Sequence, residues 1–384
     1  MKKQFKKEEI IVRDLDKNTY CIIMAGGYGS RFWPICRDDN PKQFIDILGN
    51  GQSMLQTTFE RYERICPREN IIIVTAKAYA ERVREQIKGL LPYQVLSEPT
   101  RRNTAPCIAY AASVIGEMNP NANVIVTPSD HAVFGRAKFE HDMEQALAIT
   151  AKNDYIVTIG VPPTNPNVKY GYIQFAEESA LPEVPDLHKV ITFTEKPPLE
   201  MAKEFIKTGE FFWNSGLFVW RLPTLRKAFK DHLPYIENSF FELKAETPAA
   251  EVDRVYSQSV AISVDFGIME HAENVYVLQA SFGWSDVETW DSLFDNCLVD
   301  INNNGIVSGQ VFAYDVRNTL VHVPADQTVV LQGLDGYIVA SDGKTLMVCS
   351  RSKEDNILKY ASDVELAKMK GYHETVAKLN EEKI

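Results

Sequence analysis

The stretch Thr19 to Asp46, TYCIIMAGGYGSRFWPICRDDNPKQFID, constrains this chain more than any other. An unalternated apolar run, Tyr20 to Ala25, passes directly into Gly26, Gly27 and Gly29, and Arg31 and Lys42 follow in one polar loop stiffened by Pro34 and Pro41. Such a run reads as a buried parallel strand, because a strand covered on both faces has no solvent side to alternate with. Glycines at its carboxyl end let backbone amides approach an anion without a Cβ in the way. The two cations then offer charge-assisted bonds to a polyphosphate, Arg31 as a planar fork and Lys42 as a point charge. A Gly-Gly pair alone is as readily a tight turn. With two cations on the same loop, a phosphate site is the better reading. It is neither a P-loop nor a dinucleotide fingerprint, since G-x-x-x-x-G-K-[ST] and G-x-G-x-x-G are both absent from it.

The chain continues as alternating strand and helix. Ser53 to Ile65 and Ala78 to Leu90 have helical apolar spacing, while Ile71 to Thr75, Gln94 to Leu96, Asn123 to Thr127, Tyr155 to Gly160 and Val275 to Ala280 read as strands. This order predicts an α/β fold, a Rossmann-like doubly wound, mixed and mainly parallel sheet, whose ligands lie beyond the carboxyl ends of the strands. Near Asp300 the pattern changes to short β-branched runs separated by Asn-Asn-Asn and Asp-Gly turns, a small all-β module closed by a charged helix from Ile357. The expected division is a charged lead-in over 1–18, a catalytic domain over 19–299 and a β domain over 300–384.

Composition excludes several classes. A net charge of −11 argues against a nucleic-acid binder. The 6 cysteines form no C-x-x-C pair, so reduced thiols in a cytoplasm are expected. The N-terminal lysines precede no apolar core of a signal peptide, and no apolar run reaches the ~20 residues of a membrane span.

Further motifs stand where strands end. SEPTRRNTAP caps the helix Ala105 to Met118 through Asn103 or Thr104, yet capping does not require Glu98 and two arginines. Asp130 in PSDH follows a parallel strand, which suits either a turn or helix cap or a Mg²⁺ ligand beside phosphates. Gly171 in KYGY admits a close backbone approach or a bulge, and Glu195-Lys196 pairs an acceptor for hydroxyls with an ammonium, or is a common surface pair. Asn214 and Ser215 sit inside the aromatic run FFWNSGLFVW, where an unpartnered amide would cost ~1–3 kcal/mol. Asp265 is expected at the end of a short strand before a helix, and Asp286 before a helix Val287 to Phe294, as an N-cap or a second metal carboxylate.

Taken together, MAGGYGSRFWP with PKQF, EPTRRNTAP, PSDH, FTEKP, WNSG and SVDFGIMEH resemble the sugar-nucleotide pyrophosphorylases, and within them the mannose-1-phosphate guanylyltransferases. The resemblance spans roughly Thr19 to Ile357. It implies that GTP and mannose 1-phosphate give GDP-mannose and diphosphate, with Mg²⁺ or Mn²⁺ as cofactor. Arg31 and Lys42 would serve the phosphates, and Asp130 and Asp286 would hold the metal. Ala25, Gly26, Gly27, Gly29, Glu98, Asn103, Thr104 and Ser129 would seat the nucleotide, and Gly171, Glu195, Lys196, Asn214 and Asp265 the sugar phosphate. A homodimer that meets neither nucleic acid nor membrane is implied, with a β-helix-like C-terminal domain. Val264, Phe266, Glu288 and Thr289 depart from the family pattern. Larger relatives add a His-rich isomerase domain, and only His322 and His373 lie beyond the core here, so a monofunctional transferase is expected. Other readings are a nucleotidylyltransferase of another hexose 1-phosphate or NTP, and a silent GDP-mannose-binding regulator. The regulator's mark would be loss of a cation or an aspartate, and all four stand.

Overall fold

The computed structural model describes residues 15–27 and 31–370. The lead-in up to residue 14, Gly29 and the end of the closing helix lie outside the described residues.

Strand and helix alternate first as β1 (Thr19–Met24), α1 (Met54–Tyr62), β2 (Ile71–Ala76), α2 (Ala80–Gln86), β3 (Val95–Glu98), α3 (Thr104–Met118) and β4 (Asn123–Pro128). Next come β5 (Ala132–Phe134), α4 (Arg136–Lys152), β6 (Ile156–Val161), β7 (Gly171–Leu181), β8 (Val184–Glu195), α5 (Leu199–Thr208) and β9 (Phe211–Arg221). Three helices, α6 (Leu222–His232), α7 (Pro234–Phe240) and α8 (Ala249–Gln258), lead to β10 (Val275–Gln279), β11 (Gly283–Ser285) and α9 (Trp290–Asn296).

A nine-stranded sheet in the order β3-β2-β1-β4-β9-β6-β10-β8-β7 forms the centre. Strands β1, β2, β3, β4, β6, β7 and β10 share one direction, and β8 and β9 oppose it. The sheet is therefore mixed and mainly parallel, as the alternation predicts. Its apolar runs divide by the strand period of two: Ile22, Ile72 and Val74 join α3 and the α6–α8 helices in one core layer. Cys21, Ile23, Ile71 and Ile73 join α1 and α4 in the other.

The remaining strands are β12 (Gly305–Ser308), β13 (Gln310–Tyr314), β14 (Leu320–His322), β15 (Thr328–Gln332), β16 (Tyr337–Ser341) and β17 (Leu346–Ser350), followed by α10 (Ile357–Lys370). They lie in sheets of their own. Parallel pairing sets Leu320 on Gly305 and Ile338 on Leu320, and β13 on β15, which is rung-on-rung stacking. A third core layer ties these rungs to the polar loop after β1: Phe32, Trp33 and Ile47 pack with Trp290, Leu320, Ile338 and Met347.

Three local expectations are corrected. The helix expected over 78–90 is only α2, preceded by a 3₁₀ turn, and Gly89 at φ +77° follows it. No strand precedes Asp265; Ile262 instead exchanges backbone hydrogen bonds with Arg102 and Ala105, which removes it from any sheet, and Asp265 opens a π-helical turn over Asp265–Met269. Asp286 caps no helix, because Val287 adopts φ +43° and α9 starts at Trp290 with Thr289 as its capping box.

Candidate active site

Parallel strands deliver their following residues to one edge of the sheet, and the consecutive strands β3, β2, β1 and β4 all end there. A cleft of about 350 Å³ opens at that edge, lined by Gly26 and Gly27 after β1, Glu98 at the end of β3, Asn103 and Thr104 at the start of α3, and Ser129 and Asp130 after β4. The space is narrow. A Cβ on Gly26 would stand 3.0 Å from a Glu98 carboxylate oxygen, so any other residue there would push the acid aside by a few tenths of an ångström. Asn103 is the N-cap of α3, its side chain accepting from the Thr104 N–H at 2.9 Å, and the Thr104 hydroxyl accepts from the Val264 N–H at 2.9 Å. Burial pushes the Glu98 carboxyl up to about 7, with the Tyr256 hydroxyl and Arg101 pulling the other way. One of its oxygens has no hydrogen-bond partner among the described residues.

Lys42 is the centre of charge. Only 6% of its side chain is exposed, and its Nζ lies 3.2 Å from Asp130 Oδ2 and 2.5 Å from the Asp286 carbonyl oxygen. One ammonium thus fastens the loop after β4 to the loop after β11. The Tyr170 hydroxyl donates to Asp286 Oδ1 at 2.9 Å. Burial pushes the Asp286 carboxyl up to about 6, opposed by Lys42 and helped by Asp130 and Glu288. Lys42 and His131 hold the Asp130 carboxyl below its ordinary value although burial, the largest influence, works against them.

The described residues contain no cluster of three or more His, Cys, Asp or Glu able to cage a metal. Two carboxylates on facing loops are a hard oxygen donor set that fits a cation completing its shell with phosphate oxygens and water, as Mg²⁺ does.

The second group of residues gathers around β7, β8 and β9. Asn214 Nδ2 donates to Asp265 Oδ1 at 2.7 Å, and its Oδ1 accepts from the Gly216 N–H at 3.1 Å, so the amide embedded in the aromatic run is satisfied. A Cβ on Gly171 would meet a Glu195 carboxylate oxygen at 2.6 Å. Burial raises the Asp265 carboxyl, Asn214 lowers it and Glu195 raises it. Lys196 lies 3.2 Å from Glu195 with both side chains more than half exposed. Thus Gly171, Glu195, Asn214 and Asp265 do converge.

Two predicted residues stand apart. Ala25 is buried and does not line the cleft; its carbonyl accepts from Gln43 and Thr75. Arg31 pairs with Glu288 at 2.7 Å and lines a different cleft with Lys169, Thr289 and Glu354. Residues without an assigned role also prove central. Gln43 Nε2 donates to the carbonyls of Ala25 and Gly27 at 3.0 Å each, fixing the glycine turn, and Tyr170 orients Asp286. Both sit in motifs visible in the sequence, PKQF and KYGY, but a pairing across the fold leaves no mark on spacing. His131 is structural, as its ring packs edge-on to Trp284 and burial drives it down to about 4.

The family model described as nucleotidyl transferase matches residues 20–302. The chain belongs to the nucleotidyl transferase family. All the site residues above fall inside that span. The alginate biosynthesis protein AlgA of Pseudomonas fluorescens is 32% identical to this nucleotidyl transferase over 351 residues, covering 89% of this chain and 71% of the relative. The mannose-1-phosphate guanylyltransferase RfbM of Salmonella typhimurium is 31% identical over 348 residues, covering 88% and 71%. A crystal structure from Thermus thermophilus, described as a mannose-1-phosphate geranyltransferase, superposes with a TM-score of 0.82 at 28% identity, over 91% of this chain and 99% of that one. No helix among the described residues is long and apolar enough to cross a membrane.

Proposed function

We propose that this nucleotidyl transferase joins GTP and mannose 1-phosphate to give GDP-mannose and diphosphate. The observation that carries the reading is the single ammonium of Lys42 tying Asp130 to the Asp286 loop at the mouth of the Glu98 cleft. The relatives named for this reaction support it.

The sugar phosphate oxygen attacks the α-phosphorus in line and diphosphate leaves. At neutral pH this nucleophile is already ionised, so the protein supplies position and charge rather than a base. Gly26, Gly27, Asn103, Thr104 and Ser129 seat the nucleotide, and Glu98 accepts from the base. Lys42 faces the α-phosphate, and Arg31 leaves Glu288 to meet the departing diphosphate. Glu195 and Asp265 accept sugar hydroxyls, with Asn214 fixing Asp265 and Lys196 reaching the sugar's phosphate. Asp130 and Asp286 would hold a divalent cation, Mg²⁺ or Mn²⁺, whose chemistry is to neutralise charge shared by the two phosphates. We further assign the catalytic unit to 19–299 and the accessory β unit to 300–384, and place the enzyme in the cytoplasm as a homodimer.

The test is diphosphate release across four NTPs and several hexose 1-phosphates, with an EDTA blank. GTP with mannose 1-phosphate should dominate and EDTA should abolish it. Release with another pair moves the substrate, and GDP-mannose binding without any release points to a regulator.

A further inference from the structure

The loop that carries Lys42 has two sides, and the reaction uses only one of them. Toward the cleft it presents Lys42 and Gln43. Its other side is fastened to the C-terminal rungs by polar contacts as well as by the shared core layer. Arg37 Nη1 donates to Asp342 Oδ2 at 2.5 Å, and His322 Nε2, at the end of β14, donates to the Asp46 carbonyl at 3.2 Å. Gly49, at φ +68°, passes so near β12 that a Cβ there would meet the Val307 carbonyl oxygen at 2.1 Å.

Apolar packing alone could attach the loop, but it is non-directional and sets no orientation. The Arg37–Asp342 pair does set one. Only 8% of the Asp342 side chain is exposed, and its Oδ1 accepts from the Lys344 and Thr345 amides at 2.9 and 2.6 Å. The carboxylate is thus fixed by its own turn, and a charge-assisted bond to it fixes the guanidinium. The other carboxylate near that guanidinium, Asp39 at 3.4 Å, belongs to the same loop and so sets no position relative to the rungs.

That position is handed on to Lys42 over a short path. Arg37 and Asn40 exchange backbone hydrogen bonds of 3.1 and 2.9 Å, closing a tight turn, and Lys42 follows directly after Pro41. From the opposite side the Tyr79 hydroxyl donates to the Asp38 carbonyl at 2.7 Å and Arg82 to the Asp39 carbonyl at 2.8 Å. The turn is gripped between the rungs and the segment that begins α2. We propose that Arg37 and Asp342 are positioning residues for Lys42, so that the C-terminal rungs set where the Lys42 ammonium stands. This rests on the reading of Lys42 as the cation at the α-phosphate.

Asp342→Asn, Arg37→Ala, their double variant and Arg37→Lys, each in the full chain, test the assignment. An asparagine oxygen still accepts the two turn amides, so Asp342→Asn removes the charge and keeps the turn. Because a displacement of about 1 Å can cost about 10² in rate, each single variant should lose about tenfold in kcat. KM for GTP should stay within about twofold, as expected where ground-state binding is untouched. The double variant should be no worse than either single one, since both remove the same contact, and Arg37→Lys should recover most of the loss. Hydrogen exchange read by mass spectrometry supplies a second measurement that needs no turnover. The Phe44 and Ile45 amides, which close the Lys42 turn at 3.0 and 3.1 Å, should exchange several-fold faster in Asp342→Asn. A lowered urea midpoint with kcat unchanged would make the pair merely structural and overturn the proposal, as would unchanged exchange at those two amides. If the unmodified chain releases no diphosphate, the substrate reading fails by itself and the exchange rates still decide the role of the pair.

Discussion

Arg31 and Lys42 belong to one loop, and the sequence presents them as a matched pair of phosphate cations, yet the fold gives them opposite environments. Lys42 is almost wholly buried and bonded to two loops, whereas Arg31 is 44% exposed and, among the described residues, pairs with the surface carboxylate of Glu288. The difference follows from what surrounds each end of the loop. Lys42 begins a buried 3₁₀ turn, Lys42–Phe44, whose Gln43 grips the glycine turn. Arg31 instead opens the stretch leading into the aromatic anchors Phe32 and Trp33, which sink into the layer shared with the C-terminal rungs and leave the guanidinium outside. One cation holds the site together and the other stands at the surface.

The largest effect should come from Lys42→Ala. It removes the ammonium that ties the Asp130 side chain to the Asp286 loop, and leaves a buried polar cluster uncompensated, a defect that typically costs about 3–5 kcal/mol. Asp130 is 33% exposed, so the lower end applies. Turnover should vanish, and the urea midpoint should drop. An unchanged midpoint would erase the contrast, since Lys42 would then be as loosely built in as Arg31.

Arg31→Ala should instead separate chemistry from stability. A donor aimed at developing charge is worth about 10²–10³ in kcat, while surface replacements normally shift stability by no more than about 0.5 kcal/mol. Steady-state kinetics beside urea unfolding reads both. A change confined to KM would make Arg31 a binding group rather than a transition-state one.

The same contrast explains how much was legible in advance. The parallel strands, the glycine turn and the placing of Glu98, Asn103, Thr104, Ser129 and Asp130 around one cleft could be read because each depends on local pattern and on the rule that ligands sit past strand ends. The pairing of Arg31 with Glu288 could not. It joins residues far apart in sequence and is decided by Val287, whose φ of +43° delays α9 and turns Glu288 toward the loop end. Asp265 was misplaced for a related reason: Ile262 spends its backbone bonds on Arg102 and Ala105, a partnership that strand propensity does not encode.

If Glu98 meets the base as proposed, burial makes that contact proton-dependent. Its carboxyl is raised to about 7 from the ordinary 4.5. The folded state therefore keeps a proton that the unfolded chain releases, so its contribution to stability is full below about 4.5 and is lost as pH rises through about 7. Binding has the opposite sign. A guanine edge offers adjacent N–H donors that need the ionised form, so GTP affinity should climb as pH rises toward 7 and level off above it. Glu98→Gln should weaken GTP by about tenfold, as expected for hydrogen bonds to a charged group, and flatten the profile in calorimetric titrations. A profile unaltered by the substitution would remove Glu98 from base recognition.

The smallest effect concerns the pair that sets Arg31 apart. In the proposed reaction Glu288 would compete with the nucleotide's phosphates for the Arg31 guanidinium, and binding would separate an ion pair whose partners are 44% and 39% exposed. Pairs that open to solvent are worth at most about 1 kcal/mol, and salt screens them further. Glu288→Gln should accordingly lower KM for GTP by no more than about fivefold, with kcat unchanged, and the gain should shrink as ionic strength rises. The opposite pattern, a fall in kcat at constant KM, would mean that Glu288 holds Arg31 in its working position. Arg31 would then be as firmly placed as Lys42, through a surface carboxylate instead of through burial.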